Sequence, residues 1–414
     1  MIQTLALLHD AYRELNAKRL FWFTLMLSGL VVAIFAMIGN NERGLTVLTW
    51  TLELPLLSTK FIPAEEFHKL FFVNLGLGVW LTWIAMILAL VSTASIFPDF
   101  LAGGAIELTL SKPIGRLRLF LTKYVAALLF VGLQVGVFTL ASFLVIGFRG
   151  GGWIPAIFLA VPIVVLVFSY LFSICVLIGT LWRSTIAALM LTLLAWGLIF
   201  MVNTAELGML TVTTGMTERD ARLSERIEAL RNSITQESQK PETADAASGA
   251  EPEAVERPRE GGLLAGLKWA AGRTQQAETS RESRLQAQRD RLTRLETRLK
   301  ESQVTTGKLR WWHGMIFGMK SALPKTAETT SIMERYVLDL GKLKQLQAAG
   351  NNEPQVTIDD GTDDETPRVE DRLIGERVQE ILRSRTEWWI IGTSLAFECC
   401  VLGLSAWIFC RRDF

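Results

Sequence analysis

The sequence predicts an all-α integral membrane protein: six transmembrane helices, with a large extracytoplasmic insertion, mostly helical and partly disordered, between the fifth and the sixth. Three observations carry this reading. Half of the 414 residues are hydrophobic and the mean hydropathy is +0.31, yet 20% are charged, so an apolar part and a very polar part must coexist. The apolar residues gather in runs of about 20 or more, and at 1.5 Å per helical residue such a run crosses hydrocarbon about 30 Å thick. The polar residues concentrate between positions 204 and 387. The net charge of +1 hides that segregation, and basic groups scattered along helices, without interleaved aromatics, give no nucleic-acid signature.

Residues 1–19 have helical periodicity, with Ile2, Leu5, Leu8, Tyr12 and Leu15 on one face and Asp10, Arg13, Glu14 and Lys18 away from it. This is the pattern of a cytoplasmic amphipathic helix on a membrane surface, although the same face also suits packing on protein. Leu20 to Gly39 forms the first span. The rival reading, a cleaved signal peptide, is disfavoured by the long acid-bearing segment before it and by the length of its apolar run. Asn40 to Lys69 is mixed in character and belongs outside. The further spans are Phe71 to Phe97, Leu121 to Phe148, Trp153 to Leu181, Thr185 to Asn203 and Trp388 to Cys410. One topology puts every short basic connection inside: Lys18 and Arg19, the loop after the second span, Arg183, and Arg411 with Arg412. It makes the chain a multi-pass protein of the cell (inner or cytoplasmic) membrane with both termini cytoplasmic. Trp22, Trp153, Trp182 and Trp388–Trp389 fall near expected interfaces, whereas Trp80 and Trp83 lie deeper.

Between two apolar runs stands Pro98 to Tyr124, PDFLAGGAIELTLSKPIGRLRLFLTKY, in which Asp99 and Glu107 are outnumbered by Lys112, Arg116, Arg118 and Lys123. Asp99 suits a helix cap, and Pro113 suits the first turn of a new helix while holding Lys112 extended. The order Gly103-Gly104, Glu107, Leu108-Thr109-Leu110, Ser111-Lys112-Pro113-Ile114-Gly115-Arg116 and Lys123-Tyr124 resembles the cytoplasmic loop of ABC transporter permeases of the type-2 exporter class. Gly115 departs from the serine of that pattern. Ser394 to Phe397 leading into Trp407 to Phe414 is similar to the closing helix of the same permeases, and Pro324-Lys325-Thr326 to an element before it. The region from Thr211 to Glu387 otherwise matches only weakly.

Residues 204–387 fall outside by parity, since long loops escape the charge rule. Leu223, Ile227, Leu230 and Ile234 mark one helical stripe, and Leu285, Leu292, Leu295 and Leu299 another; together they suit an antiparallel coiled coil. Gln236 to Gly261 and Asn351 to Arg368 are expected to be disordered. The acids of the second stretch, Asp359 to Glu365, lack the ligand spacing of a calcium loop. Leu309 to Leu323, aromatic and too short to span, is expected to lie in the outer interface or dip partway into the bilayer. Leu373, Ile374, Val378, Ile381 and Leu382 form a last stripe leading into the sixth span.

The sequence offers little for catalysis. His9, His68 and His313 are dispersed, and Cys175, Cys399, Cys400 and Cys410 all belong to spans, so neither a His-based metal site nor an outer disulfide framework is visible. No phosphate-cradling Gly-x-x-x-x-Gly-Lys-[Ser/Thr] occurs. Glu398 is the one acid near the middle of a span, where charge costs about 2.5 kcal/mol or more; it is read either as a coupling site or as a hydrogen-bond partner across the bundle. Asn74, Gln134 and Asn203 admit the same two readings.

The resemblance implies a permease subunit, not an enzyme, in two copies, working with separate ATP-binding subunits that hold ATP and magnesium. This chain itself would bind no cofactor and no metal. Its coupling loop, with Glu107, Ser111, Lys112, Pro113, Arg116 and Arg118, would dock on the ATPase, and Leu108, Leu110 and Ile114 would add apolar contact. Membrane lipid is the remaining partner. The alternative is a membrane-anchored scaffold whose outer coiled coil binds envelope components.

Overall fold

The computed structural model describes residues 19–42, 44–47, 50–52, 59, 62–102, 115–150, 152–239, 263–337 and 371–411. Outside them lie residues 1–18 of the expected amphipathic helix and loop residues 103–114, with Glu107, Ser111, Lys112 and Pro113. The stretches 240–262 and 351–368 and the last three residues also lie outside. The described residues form two units, one drawn from 1–206, 316–359 and 385–414, the other from 207–315 and 360–384.

The first unit begins with α1 (Arg19–Met37), which gives way to three antiparallel strands, β1 (Ile38–Asn41), β2 (Gly44–Val47) and β3 (Trp50–Leu52). Ile38 pairs with Val47, and Val47 with Trp50. Gly44 takes φ 140°, a conformation that a side chain resists, so the glycine permits the tight β1–β2 reversal. This small sheet is an addition to the all-α expectation; the β-branched Thr46, Val47 and Thr51 favour it.

The chain resumes as α2 (Ala64–Phe71), a π-helical stretch (Phe72–Ala85), α3 (Met86–Thr93) and α4 (Ile96–Ala102). Thr82 Oγ1 donates to the Leu77 carbonyl five residues back at 2.7 Å, in keeping with the wider winding. This rod begins before the expected Phe71, because Glu65 and Glu66 in its first turn and Lys69 one turn later suit a helix start and pair with one another. Asp99 sits inside the first turn of α4, not at its cap, since Pro98 is accommodated near the helix start.

Then come α5 (Arg116–Val145), a π turn (Ile146–Gly150), a 3-10 turn (Pro155–Leu159) and α6 (Ala160–Trp182). Apolar on every face, α6 is the centre of the unit and packs against α4, α5, α9 (Thr326–Val337) and α11 (Glu387–Arg411). Phe168, Tyr170, Leu171 and Phe172 are completely enclosed or nearly so. Arg183, at φ 51°, ends α6 in a left-handed cap and turns the chain into α7 (Thr185–Gln239) within two residues.

On the outer surface of α5, Leu117, Leu121, Val125, Leu129, Leu133, Val137, Leu140 and Leu144 repeat at helical spacing and are all exposed. A stripe of that length is at home in lipid and not in water. Among the described residues five helical segments have the length and hydropathy to cross a membrane: Ala64–Leu101, Arg116–Arg149, Pro155–Trp182, Thr185–Gln239 and Glu387–Arg411. Phe21–Met37 is apolar but shorter. The chain is a predominantly helical, membrane-embedded protein. Trp22, Trp153, Trp182 and Trp388 are exposed as interfacial tryptophans are, while Trp80 is buried and packs against Phe138.

The second unit is built on α7 beyond Leu207 and on α8 (Leu263–Ala322) up to Met315, with α10 (Asp371–Ser384) beside them. Leu223, Ile227 and Leu295 are buried together, with Leu230 and Leu299 against them. Arg231 pairs with Glu296, Asp220 accepts from Ser302 and Thr306, and Arg281 donates to the Glu237 carbonyl. Numbers rising on α7 meet numbers falling on α8, so the pair is antiparallel. Ile374 and Val378 of α10 close over Leu210. Ile374 Cδ1 comes within 3.1 Å of where a Cβ on Gly215 would stand, which is why α7 carries no side chain there.

One further expectation differs from the structure. Thr185 to Asn203 does not end at Asn203: no breaker follows, and the helix continues to Gln239. Leu309 to Leu323 is, through Ala322, the last part of continuous α8, which ends at Leu323 and Pro324.

Candidate functional site

On α11 the inward face is Ile390, Ser394, Glu398, Ser405 and Phe409, a helical spacing that turns this helix's polar side into the bundle. Glu398 Oε1 accepts from the Tyr124 hydroxyl of α5 at 2.8 Å, and Oε2 accepts from the Ser169 hydroxyl of α6, also at 2.8 Å. Each hydroxyl has one proton and a second acceptor within reach, the Ser169 carbonyl for Tyr124 and the Leu166 carbonyl for Ser169. The donors can turn toward or away from the carboxylate without moving a helix. Glu398 thus ties three spans together, and Tyr170, fully enclosed, stands beside Ser394 and Thr329 in the same polar interior.

A second buried polar group lies in the same unit. Glu206 of α7, Lys320 of α8, Glu328 in the first turn of α9 and Arg385 before α11 form a closed ring of alternating charge. Lys320 Nζ lies 2.7 Å from Glu206 Oε2 and 2.6 Å from Glu328 Oε1, and Arg385 bonds both carboxylates. The Glu206 side chain is completely enclosed and Lys320 nearly so. Burial at this cost is tolerable because each charge meets two of opposite sign.

Between ring and carboxylate sits Lys325, with no exposure at all. Its amide donates to Ser394 Oγ at 3.0 Å, its ammonium to Thr393 Oγ1 at 2.6 Å, and the ammonium lies 4.2 Å from the centre of the Trp389 ring. Trp389 stacks on Phe317, and the Arg385 guanidinium lies 5.2 Å from the centre of the Phe317 ring. Burial pushes the Lys325 ammonium down to about 8; Glu328 opposes the shift, and Lys320 and Arg385 add to it.

Of the coupling-loop residues, Arg116 and Arg118 are described. Arg116 Nη1 donates to the Cys410 carbonyl at 3.1 Å, satisfying an orphan acceptor in the last turn of α11. Phe120 of α5 packs on Phe409 at 5.5 Å, and Phe100 of α4 stacks on Phe409 at 6.4 Å. Both shoulders of the loop therefore rest on the end of the last helix. Arg118 is exposed.

Asn74 bonds back to the Leu70 carbonyl, and Gln134 borders a cavity of about 10 Å³ beside Ser28. Sequence reasoning passed over Glu206, Lys320, Glu328 and Arg385. A signal existed for one of them, since Glu206 is the only charged residue between Arg183 and Glu218. Tyr124 and Ser169 had none, because a hydroxyl in an apolar run does not announce its partner. Among the described residues no group of three or more His, Cys, Asp or Glu is placed to hold a metal ion. Comparison of the chain with protein-family models, with curated proteins and with solved structures returned no match.

Proposed function

We propose that this chain is the permease subunit of an ATP-driven exporter, with six spans counting α1, the α7–α8 region as an extracytoplasmic insertion, and both termini in the cytoplasm. Two copies work with ATP-binding subunits that carry ATP and magnesium, in the inner or cytoplasmic membrane. The observation that carries this reading is the seating of both shoulders of the basic loop on Phe409 and Cys410. A push on that loop reaches directly the helix that bears Glu398, as coupling to a motor requires. The polar interior supports the same reading, since an anchor has no need of ionisable groups inside its bundle.

The test is copurification of an ATPase with the wild type and with Arg118→Glu and Arg116→Glu. Charge reversal at a desolvated contact replaces attraction by repulsion, so capture should fall while membrane abundance holds. Arg116 also serves α11, so the two variants are read together. Unchanged capture by both variants contradicts the docking role. Cysteines at Ser248 and Thr362 should react with impermeant thiol reagents in intact cells; labelling only after lysis reverses the topology. The antiparallel α7–α8 pair favours a second reading, a membrane-anchored scaffold, which predicts no ATPase capture by the wild type.

A further inference from the structure

Within the second unit, α7, α8 and α10 enclose an open groove of about 580 Å³, the size of a small-ligand site. Its lining includes the apolar Leu210 and Ile381 and charge of both signs, Arg310, His313 and Arg377 with Glu218 and Glu380. Arg377 bridges the two acids, at 3.3 Å from Glu218 and 3.1 Å from Glu380. Arg310 donates to Thr217 Oγ1 at 3.2 Å, and among the described residues no carboxylate pairs with it. A forked donor with no carboxylate partner among the described residues thus lines the same groove as apolar side chains and two acids.

That arrangement suits an amphiphile carrying a phosphate, a separate cation and an acyl chain. Phosphate accepts two parallel bonds from a guanidinium, a carboxylate holds an ammonium, and leucine and isoleucine receive the first methylenes. Oε2 of Glu380 already accepts from Arg377, so Oε1 is the oxygen left for the ammonium, and a simple hydrocarbon would leave Arg310 unanswered. Position along α7 agrees. Here the apolar run gives way to charge, and next to Arg310 stand the exposed Trp311 and Trp312, residues typical of the headgroup layer.

We propose that this groove binds the headgroup of a zwitterionic phospholipid of the ethanolamine type, with phosphate at Arg310, ammonium at Glu380 and the first part of the acyl chains over Leu210 and Ile381. Binding is independent of ATP coupling and holds for permease or scaffold alike.

The test is calorimetric titration of the purified full-length protein in detergent with dihexanoyl phosphatidylethanolamine. Dihexanoyl phosphatidylglycerol, glycerophosphoethanolamine, inorganic phosphate and dihexanoylglycerol are titrated in parallel. Saturable binding of the ethanolamine lipid is expected, at least fivefold weaker in Arg310→Gln. In Glu380→Gln the preference over phosphatidylglycerol should disappear while phosphatidylglycerol still binds. Both side chains are exposed, and helical content by circular dichroism checks that each variant is folded. Absence of saturable binding, equal affinity of wild type and Arg310→Gln, or equal binding of dihexanoylglycerol overturns the proposal. Phosphate or glycerophosphoethanolamine binding as tightly as the lipid also overturns it, making the groove a free-anion site.

Discussion

Oε2 of Glu206 lies 2.7 Å from Nζ of Lys320, in a pair that water does not reach. Removing one member of a buried ion pair strands the other, at a cost of about 3–5 kcal/mol. Glu206→Ala leaves Lys320 and Arg385 short of a counter-charge and should destabilise the detergent-solubilised protein by that order. Glu206→Ala combined with Lys320→Met should recover part of the loss. Equilibrium unfolding in mixed micelles reads both; a single variant as stable as the wild type contradicts the ring.

The Glu398 hydroxyl pair makes a different prediction. Tyr124→Phe and Ser169→Ala each delete one donor to a single carboxylate, and each should cost about 1–3 kcal/mol. Because they share an acceptor, their effects should not add in the double variant. Glu398→Gln, which keeps an acceptor and the shape, should assemble normally, and Glu398→Leu should be less stable than Glu398→Gln. Simple additivity of the two donor deletions would show that the groups act separately.

Lys325 has its ammonium pushed down to about 8, below the ordinary lysine value of 10.5. Between these values the unfolded chain binds more protons than the folded one, so stability should rise with pH from about 8 to 10.5 and stay flat below. Lys325→Met, which keeps the length of the side chain without its charge, should abolish that rise. Unfolding midpoints of the two proteins across pH 7 to 10.5 decide the matter; parallel profiles would contradict a charged, enclosed Lys325.

The α7–α8 pair allows packing and charge to be compared directly. Arg231 is largely exposed and Glu296 about one third exposed, so Arg231→Ala should cost under about 1 kcal/mol. Leu295, buried between Leu223 and Ile227, should cost about 2–5 kcal/mol when changed to Ala. Protease resistance of the second unit should follow Leu295→Ala and ignore Arg231→Ala. The opposite order would mean that the pair is held by charge.

Membrane embedding and helical character were legible because they are properties of runs: a window of apolar residues needs no partner to declare itself. The two stripes that meet in α7 and α8, Leu223 with Ile227 and Leu295 with Leu299, were legible for the same reason, since periodicity is local. Where the helices stop was less legible. Asn203 is followed by no breaker, and the small strands at Ile38 to Leu52 depend on pairing between segments. The sequence by itself also singled out Glu398, because an acid within an apolar run is conspicuous alone. Only the tertiary structure decided what the acid meets. Tyr124 stands 274 positions away from it, Ser169 229, and Glu206 finds Lys320 at a separation of 114. Hydrogen bonds and ion pairs act over about 3 Å of space whatever the distance along the chain, so no local pattern encodes them; the packing of α5, α11 and the loop ahead of α9 around α6 does.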